Sequence, residues 1–324
     1  LAGIFHYDGS FSFYECPVLE EGSSDQLWRQ SGLAGGSDEV KWESRVSQSD
    51  FEGMVVAAQE RIRAGDIYQI NLTRRVRAAL EVIRPYELFR TLWTRTQSPW
   101  AGWLQLPDRA LASASPELFL SVDGRQIRTQ PIKGTRPRHR NPTQDQHNAF
   151  ELITDPKEVA ELVMITDLER NDLGQVCEFG SVEVGELVVR RSYSHVHHLV
   201  STIDGLLRAD VEPLDAVRAC FPGGSITGAP KGMARRVIAE LEPESRGCYT
   251  GAMGYLGYDG SVRLSMVIRC LEIERGEVSY GVGSGLTIDS DPAREFHETT
   301  QKGSALQESV GMYLASGFPA RHGL

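Results

Sequence analysis

Residues 131–138 read Pro-Ile-Lys-Gly-Thr-Arg-Pro-Arg, and they place three cations, Lys133, Arg136 and Arg138, on one short stretch. Like charges at close range lower the pKa of a lysine. A lysine made neutral in that way is a nucleophile or a base rather than an ion-pair partner. A strand-like segment, Gln126 to Ile132, is expected to deliver Lys133 to a turn that Gly134 permits. A basic surface loop explains the same octapeptide. Glu117 follows Ser115-Pro116 between two strand-like segments. Strand pairing would set its carboxyl beside the Lys133 amine, an acid next to a nucleophile; otherwise it is an exposed edge glutamate.

Four more carboxylates come from two helix starts built alike. Asp155-Pro156 and Asp291-Pro292 each put an N-cap aspartate before a proline at the first helical position. Glu158 and Glu161 follow the first, Glu295 and Glu298 the second, and a spacing of three sets each pair on one helical face. If the two faces meet, the clustered charges need a cation. Mg²⁺ is the natural candidate, because it takes hard oxygen ligands and needs few of them from protein. Taken singly, each helix is explained by the preference of acids for a helix start, and Asp155 with Glu158 also fits a capping box.

Two further segments attract attention. Phe221-Pro-Gly-Gly-Ser-Ile-Thr-Gly-Ala-Pro-Lys231 is a glycine-rich loop running into a helix. Its backbone N–H groups suit a carboxylate or phosphate, or it is a tight turn in which Ser225 or Thr227 caps the helix. Ser194-His195-Val-His197-His198 puts three histidines on an apparent strand, with His198 facing away from the other two. A lone His198 on the buried face would act as acid, base or hydrogen-bond donor. Gly281-Val-Gly-Ser-Gly285 lacks the glycine spacing of a dinucleotide fingerprint.

These residues need a scaffold. The chain has 324 residues, 40% hydrophobic and 24% charged, which is ordinary for a globular protein of one large domain or two smaller ones. No apolar run approaches the ~20 residues of a membrane span, and no secretory signal or membrane association is expected. The formal charge of −10 argues against nucleic acid as a partner. The five cysteines, Cys16, Cys177, Cys220, Cys248 and Cys270, are odd in number and widely spaced. That predicts neither a disulfide framework nor a zinc knuckle, and a reduced, cytoplasmic setting.

Periodicity predicts helices over 50–65, capped by Asp50, and over 85–96, 156–173, 230–241 and 292–315. Strands are expected over 111–115, 118–122, 126–132, 181–190, 197–204, 249–258, 263–273 and 278–282, and short ones within 1–20. Strands in runs and helices in batches predict an α+β fold with mostly antiparallel sheets. A strand-rich segment and linker are expected over 1–49, and the main domain over 50–324.

Together these segments resemble the chorismate-utilising enzymes. The matching runs are Gly65 to Thr73, Ala114 to Glu117, Pro131 to Arg138, Asp167 to Gly174, Tyr193 to Ser201, Phe221 to Lys231, Tyr249 to Tyr255 and Ser290 to Thr299. The resemblance implies two large, mostly antiparallel sheets flanked by helices. It implies Mg²⁺ on Glu161, Glu295 and Glu298, with Glu158 nearby or acting through water. Tyr249, Arg269, Lys302 and the backbone around Gly283 and Gly285 would hold the carboxylates of chorismate, in a substrate site shared with Gln69, Ser225 and Thr227. Glu117 would protonate the departing C4 hydroxyl while Lys133 attacks C2. Ammonia would then add at C4 and release the lysine, giving 4-amino-4-deoxychorismate, a precursor of 4-aminobenzoate and folate.

Anthranilate-forming members typically carry alanine where Lys133 stands, and water-adding members carry lysine where Gln69 stands. Amination at C4 is therefore the implied branch, with anthranilate formation the alternative. His198 matches the histidine tied to pyruvate loss in that alternative. Nothing here resembles a glutamine amidotransferase, so a separate glutaminase subunit is the implied ammonia source and a separate lyase the consumer of the product. The run Glu169-Arg-Asn-Asp172 is expected to be scaffold.

Overall fold

The computed structural model describes residues 1–15, 40–80, 83–274 and 276–316. The chain opens with β1 (Ala2–Phe5), β2 (Phe11–Tyr14), β3 (Glu43–Ser44), α1 (Gln48–Arg63), β4 (Gln69–Ala79) and α2 (Pro85–Thr96). A meander follows: β5 (Trp100–Gln105), β6 (Ala110–Ser115), β7 (Leu118–Asp123), β8 (Gln126–Gln130) and β9 (Ile132–Pro137). Next come α3 (Pro142–Thr154), α4 (Pro156–Gly174), β10 (Glu183–Ser192), β11 (Val196–Leu206) and α5 (Pro213–Cys220). The chain continues through β12 (Gly228–Ala229), α6 (Lys231–Leu241), β13 (Ala252–Leu256), β14 (Val262–Met266), β15 (Cys270–Glu274), β16 (Glu277–Leu286) and α7 (Pro292–Ala315).

Two sheets result, as expected, with all described pairings antiparallel. One runs β10-β11-β8-β7-β14-β13-β1-β2, with β9 also on β11; the other runs β12-β4-β16-β15-β6-β5, with β3 also on β4. Alternation along β6 explains why they stack. Ala110, Ala112 and Ala114 face α2 and α7, packing near Leu88, Leu92, Leu306 and Val310. Leu111 points the other way, into a core between the sheets with Ile4, Met253, Val267 and Cys270. The outer face of the larger sheet is closed by Leu173 of α4 and by Ala216, Val217 and Cys220 of α5. No helix among the described residues is long and apolar enough to cross a membrane.

The chain passes from one sheet to the other at two connectors that matter for the site. Pro116 and Glu117 join β6 to β7, and Val267 to Arg269 join β14 to β15. The connectors are tied by backbone bonds, Met266 N–H to the Glu117 carbonyl (3.1 Å) and Ala114 N–H to the Arg269 carbonyl (3.0 Å). Arg269 adopts φ +49°, a left-handed conformation that costs a non-glycine residue energy. The single strand expected over 263–273 is thus two strands in different sheets, because this bend breaks it.

Other expectations need correction. Helix α1 is capped by Ser47, not Asp50; Asp50 is the third residue of a capping box, its carboxylate returning to the Ser47 N–H. Helices α3 and α5 were not expected, although Asn141-Pro142 starts α3 with the same cap-and-proline device as Asp155-Pro156. The first residues add two strands to the larger sheet. β1 pairs with β13 and β2 with β1, extending the larger sheet. The expected strand and linker residues over 16–39 lie outside the described residues.

Candidate active site

Between the sheets lies a cavity of about 160 Å³. Its wall includes Glu117, Lys133, His198, Ser225, Tyr249, Arg269 and Lys302. Strand β16 makes the space. Val278, Tyr280 and Val282 face the helices, so alternation turns Gly281, Gly283 and Gly285 inward. A Cβ on Gly281 would lie 2.2 Å from the Tyr249 ring.

Lys133 does not sit in a turn. It lies within β9, opposite Leu199 of β11, where the register slips between His198 and Leu199. Gly134 takes φ +67° at this irregularity, and a Cβ there would come 2.6 Å from Leu152 Cδ1 and 3.2 Å from Glu158 Oε2. Glycine is required on both counts. The three cations of the octapeptide do not press on one another. Arg136 pairs with Asp155 (3.0 Å), Arg138 with Asp145 (2.9 Å), and Lys133 Nζ lies 3.7 Å from Glu161 Oε2. Strand geometry spreads them and the helices supply a carboxylate for each.

Beyond the Lys133 amine, the Cβ position of Gly285 lies 3.3 Å from Lys133 Nζ, 2.8 Å from Gln69 Nε2 and 3.2 Å from Asn71 Oδ1. Both amide atoms of Gln69, and Asn71 Nδ2, are buried and lack a hydrogen-bond partner among the described residues. Buried polar atoms are rarely left so. These point to a polar recess beside the amine.

Glu117 is almost wholly buried at its connector and accepts a hydrogen bond from the Ser225 hydroxyl. Burial pushes its pKa up to about 7, opposed by Ser225, Lys133 and Arg269. At neutral pH a large fraction keeps its proton, as an acid should. Ser225 stands in a short 3-10 turn, Gly224–Ile226, and Thr227 donates to the Gly223 carbonyl at 2.9 Å. Neither caps α6, whose N-cap is Pro230. Thr227 therefore fastens the loop and is not among the residues lining the cavity. Lys231 anchors the loop by binding Asp172 and the Cys220 carbonyl.

His198 Nδ1 lies 2.8 Å from the Gly134 carbonyl, and a carbonyl can only accept, so Nδ1 carries the proton. Nε2 is then a bare acceptor, buried and without a partner among the described residues. Burial drives the His198 pKa down to about 3. His197 on the opposite face is structural, held by Ser192 (2.8 Å) and Asp145 (3.2 Å). Arg269 lines the cavity, and burial lowers its pKa against the pull of Glu117. Burial likewise raises the Tyr249 phenol. Lys302 donates to the Gly283 carbonyl (3.1 Å) and pairs with Glu298 (2.6 Å).

The four helix-borne carboxylates gather at one side of this cavity. Glu158 lies against Gly134, Glu161 near Lys133, Glu298 on Lys302, and Glu295 accepts from Ser284 and Ser290. Burial, then Glu161, Asp155 and Glu298, raise the Glu158 pKa. Lys157 bridges the two helices, its ammonium 3.5 Å from Glu295 and 3.9 Å from Glu161. Among the described residues no three of these groups are close enough together to hold an ion as they lie. The donor chemistry nonetheless suits a hard divalent cation: oxygens only, repelling one another, drawn around positive charge. Glu158, Glu161, Glu295 and Glu298 are the residues that would hold it.

One residue of the run expected to be scaffold is a buried acid. Glu169 sits on the buried face of α4 with Leu162, Ile165, Thr166, Asp172 and Leu173. Its spacing from Leu162 and Ile165 was the available signal, since a glutamate on an apolar helical face is uncommon.

Comparison with known proteins agrees with this architecture. The family model described as chorismate binding enzyme matches residues 15–308. Anthranilate synthase component 1 of Thermus thermophilus is 40% identical over 302 residues, covering 90% of this chain and 65% of that protein. Aminodeoxychorismate synthase component 1 of Bacillus subtilis is 38% identical over 313 residues, covering 95% of this chain and 66% of that protein. The chain thus spans just under two thirds of the length of these two curated relatives. The solved structure of anthranilate synthase component I from Streptococcus pneumoniae superposes with a TM-score of 0.77 at 30% identity, covering 94% of this chain and 71% of that one. Sequence runs, sheet architecture and these matches lead to one conclusion: the chain belongs to the chorismate binding enzyme family.

Proposed function

We propose that this chain aminates chorismate at C4, forming 4-amino-4-deoxychorismate for 4-aminobenzoate and folate synthesis. The observation that carries the reading is the half-buried Lys133 amine sharing a cavity with the protonatable carboxyl of Glu117. In this reading Lys133 Nζ bonds to C2 of the ring, the ring double bonds shift, and the C4 hydroxyl departs as water with the Glu117 proton. Ammonia then bonds to C4, the shift reverses, and the C2–N bond to Lys133 breaks. The proton lost by the incoming nitrogen returns to Glu117.

Arg269, Tyr249 and Lys302 would hold the substrate's carboxylates, the arginine through charge-assisted hydrogen bonds. Gln69 and Asn71 would face the arriving ammonia. Mg²⁺ on Glu158, Glu161, Glu295 and Glu298 would neutralise a substrate carboxylate and fix the ring. A glutamine amidotransferase would supply ammonia, in keeping with the "component 1" in the relatives' names, and a separate lyase would take the product.

A second reading rests on His198. His198 lines the cavity and its Nε2 is bare; a base there would remove the C2 proton during pyruvate loss and anthranilate formation. The test is product identification. Pure protein, chorismate, Mg²⁺ and ammonium should yield 4-amino-4-deoxychorismate by mass spectrometry. Anthranilate as the main product would replace the first reading with the second. Unconsumed chorismate, with ammonium in excess, would count against both.

A further inference from the structure

Just behind the cavity lies a buried polar assembly that takes no part in the proposed mechanism. Arg246 follows the end of α6, and its side chain is almost wholly buried against the equally buried carboxylate of Glu242. Its guanidinium has a partner at every nitrogen. Nε and Nη2 fork onto Glu242 (2.9 and 2.7 Å), Nη2 also donates to the Asn71 carbonyl (2.7 Å), and Nη1 donates to the Ile226 carbonyl (2.9 Å). Glu242 in turn accepts from the Thr73 N–H (2.9 Å) and the Thr73 hydroxyl (3.0 Å). Tyr7, from the turn between β1 and β2, lays its ring over the guanidinium at 4.4 Å. Neither Arg246 nor Glu242 lines the cavity, yet Asn71, Thr73, Ser225, Ile226, Tyr249 and Thr250, which they hold or adjoin, all do.

We infer that Arg246 is a positioning residue: a buried strap that fixes the Ser225 turn and the Tyr249 turn against β4, and through them places the Glu117 carboxyl and the Tyr249 phenol. The inference rests on the roles given above to Glu117 and Tyr249.

Three segments distant in sequence converge on this one planar group. β4 brings Asn71, whose N–H also holds the Thr227 carbonyl at 2.8 Å. The glycine-rich loop brings Ile226, whose neighbour Ser225 donates to Glu117. The third segment is the turn after Arg246 itself, where the Tyr249 N–H returns to the Arg246 carbonyl at 3.1 Å. That turn needs holding. Thr250 adopts φ +61°, a left-handed conformation costly for a β-branched residue, and its hydroxyl oxygen lies 3.4 Å from Arg246 Nη1. A rigid fork with donors on three nitrogens suits acceptors spread in this way. A lysine ammonium would keep the charge facing Glu242 but cannot span the two carbonyls and the carboxylate together.

The experiment compares wild type, Arg246→Lys and Arg246→Met, each with and without Ser225→Ala, by steady-state consumption of chorismate with ammonium and Mg²⁺. Arg246→Lys should lower kcat by about tenfold and Arg246→Met by about a hundredfold, the scale of a small misplacement at the reacting groups. Ser225→Ala should cost about tenfold in wild type but less than about twofold beside Arg246→Met, because the hydroxyl is already out of place. Tyr249→Phe should likewise raise KM in wild type and leave it unchanged beside Arg246→Met. Penalties that simply multiply would make Arg246 a brace for the fold alone and overturn the inference, as would wild-type kinetics in Arg246→Met. Hydrogen exchange read by mass spectrometry covers a methionine variant that fails to fold. In Arg246→Lys, residues 224–227 and 247–251 should exchange at least about tenfold faster while α2 and α7 keep their protection. Equal protection of those two segments would refute the strap. Anthranilate as the wild-type product would instead sink the amination proposed above, and the cycles, run on chorismate consumption, would still decide the role of Arg246.

Discussion

Replacing Glu169 by glutamine should stabilise the protein, and increasingly so as pH rises. The glutamate pKa is raised from 4.5 to about 8, first by burial and then by the charge of Glu117. The native state therefore holds a proton that the unfolded chain releases above pH 4.5. A raised carboxyl makes the folded state lose stability as pH climbs from the unfolded value to the folded one, with no further change above it. At ~1.4 kcal/mol per pH unit, the interval from 4.5 to 7 costs about 3 kcal/mol, and the full interval to 8 costs about 5 kcal/mol. Glutamine carries no such cost and keeps an oxygen for the Thr129 hydroxyl. Glu117 imposes a similar drop on both proteins, so it largely cancels in the comparison. Urea unfolding followed by tryptophan fluorescence at pH 5, 6, 7 and 8 gives the difference directly. The variant's advantage should grow from under ~1 kcal/mol at pH 5 to about 3–5 kcal/mol at pH 8. Stability curves that run parallel across this range would refute the argument, whatever their separation.

Further outcomes concern the site. Lys133→Ala should abolish formation of 4-amino-4-deoxychorismate, and undiminished product by mass spectrometry would rule out the covalent lysine. Glu117→Gln should lower kcat by about 10²–10⁴-fold, the scale of a lost general acid; equal turnover at pH 6 would remove it from that role. Gly285→Ala puts a methyl 2.8 Å from Gln69 Nε2 and 3.3 Å from Lys133 Nζ, and should cost about tenfold to a hundredfold in kcat by displacing the amine. Unchanged kinetics there would mean the recess is not used. Chelation by EDTA should stop turnover, with Mg²⁺ restoring it, while far-UV circular dichroism stays constant because Lys157 and Lys302 already pair with the carboxylates. Full activity after exhaustive chelation would refute the metal assignment.

Much of this architecture was legible in the chain. The Asp-Pro starts of α4 and α7 located both carboxylate-bearing helices because a side-chain cap and a fixed proline φ act locally. The α+β class followed from how strands and helices group. What escaped was set by distant contacts. The break between β14 and β15 comes from a left-handed Arg269 that no local signal announces. Ser225 resembles a helix cap in sequence, yet its hydroxyl goes to a carboxylate 108 positions away. The charge crowding inferred for Lys133 vanished for the same reason. Arg136 and Arg138 find their acids on helices α3 and α4 and at the cap between them, and a run of eight residues cannot reveal partners outside itself. The glycines of β16 fit no dinucleotide motif and enter the expected site only through the family resemblance, although their alternation already promised a bare strip on one side of a strand.

The paired connectors have a mechanical implication. Glu117 and Arg269 ride on the only short stitches described here between the layers, and each stitch is backbone-bonded to the other's neighbourhood. The gap between the two side chains to which the proposed mechanism gives proton donation and anion holding is thus gauged by how thick the filling is, by Leu111, Met253 and Val267. Trimming that filling, as in Met253→Ala, should let the layers settle and detune catalysis from a distance, a cost visible in kcat while the active groups remain chemically untouched.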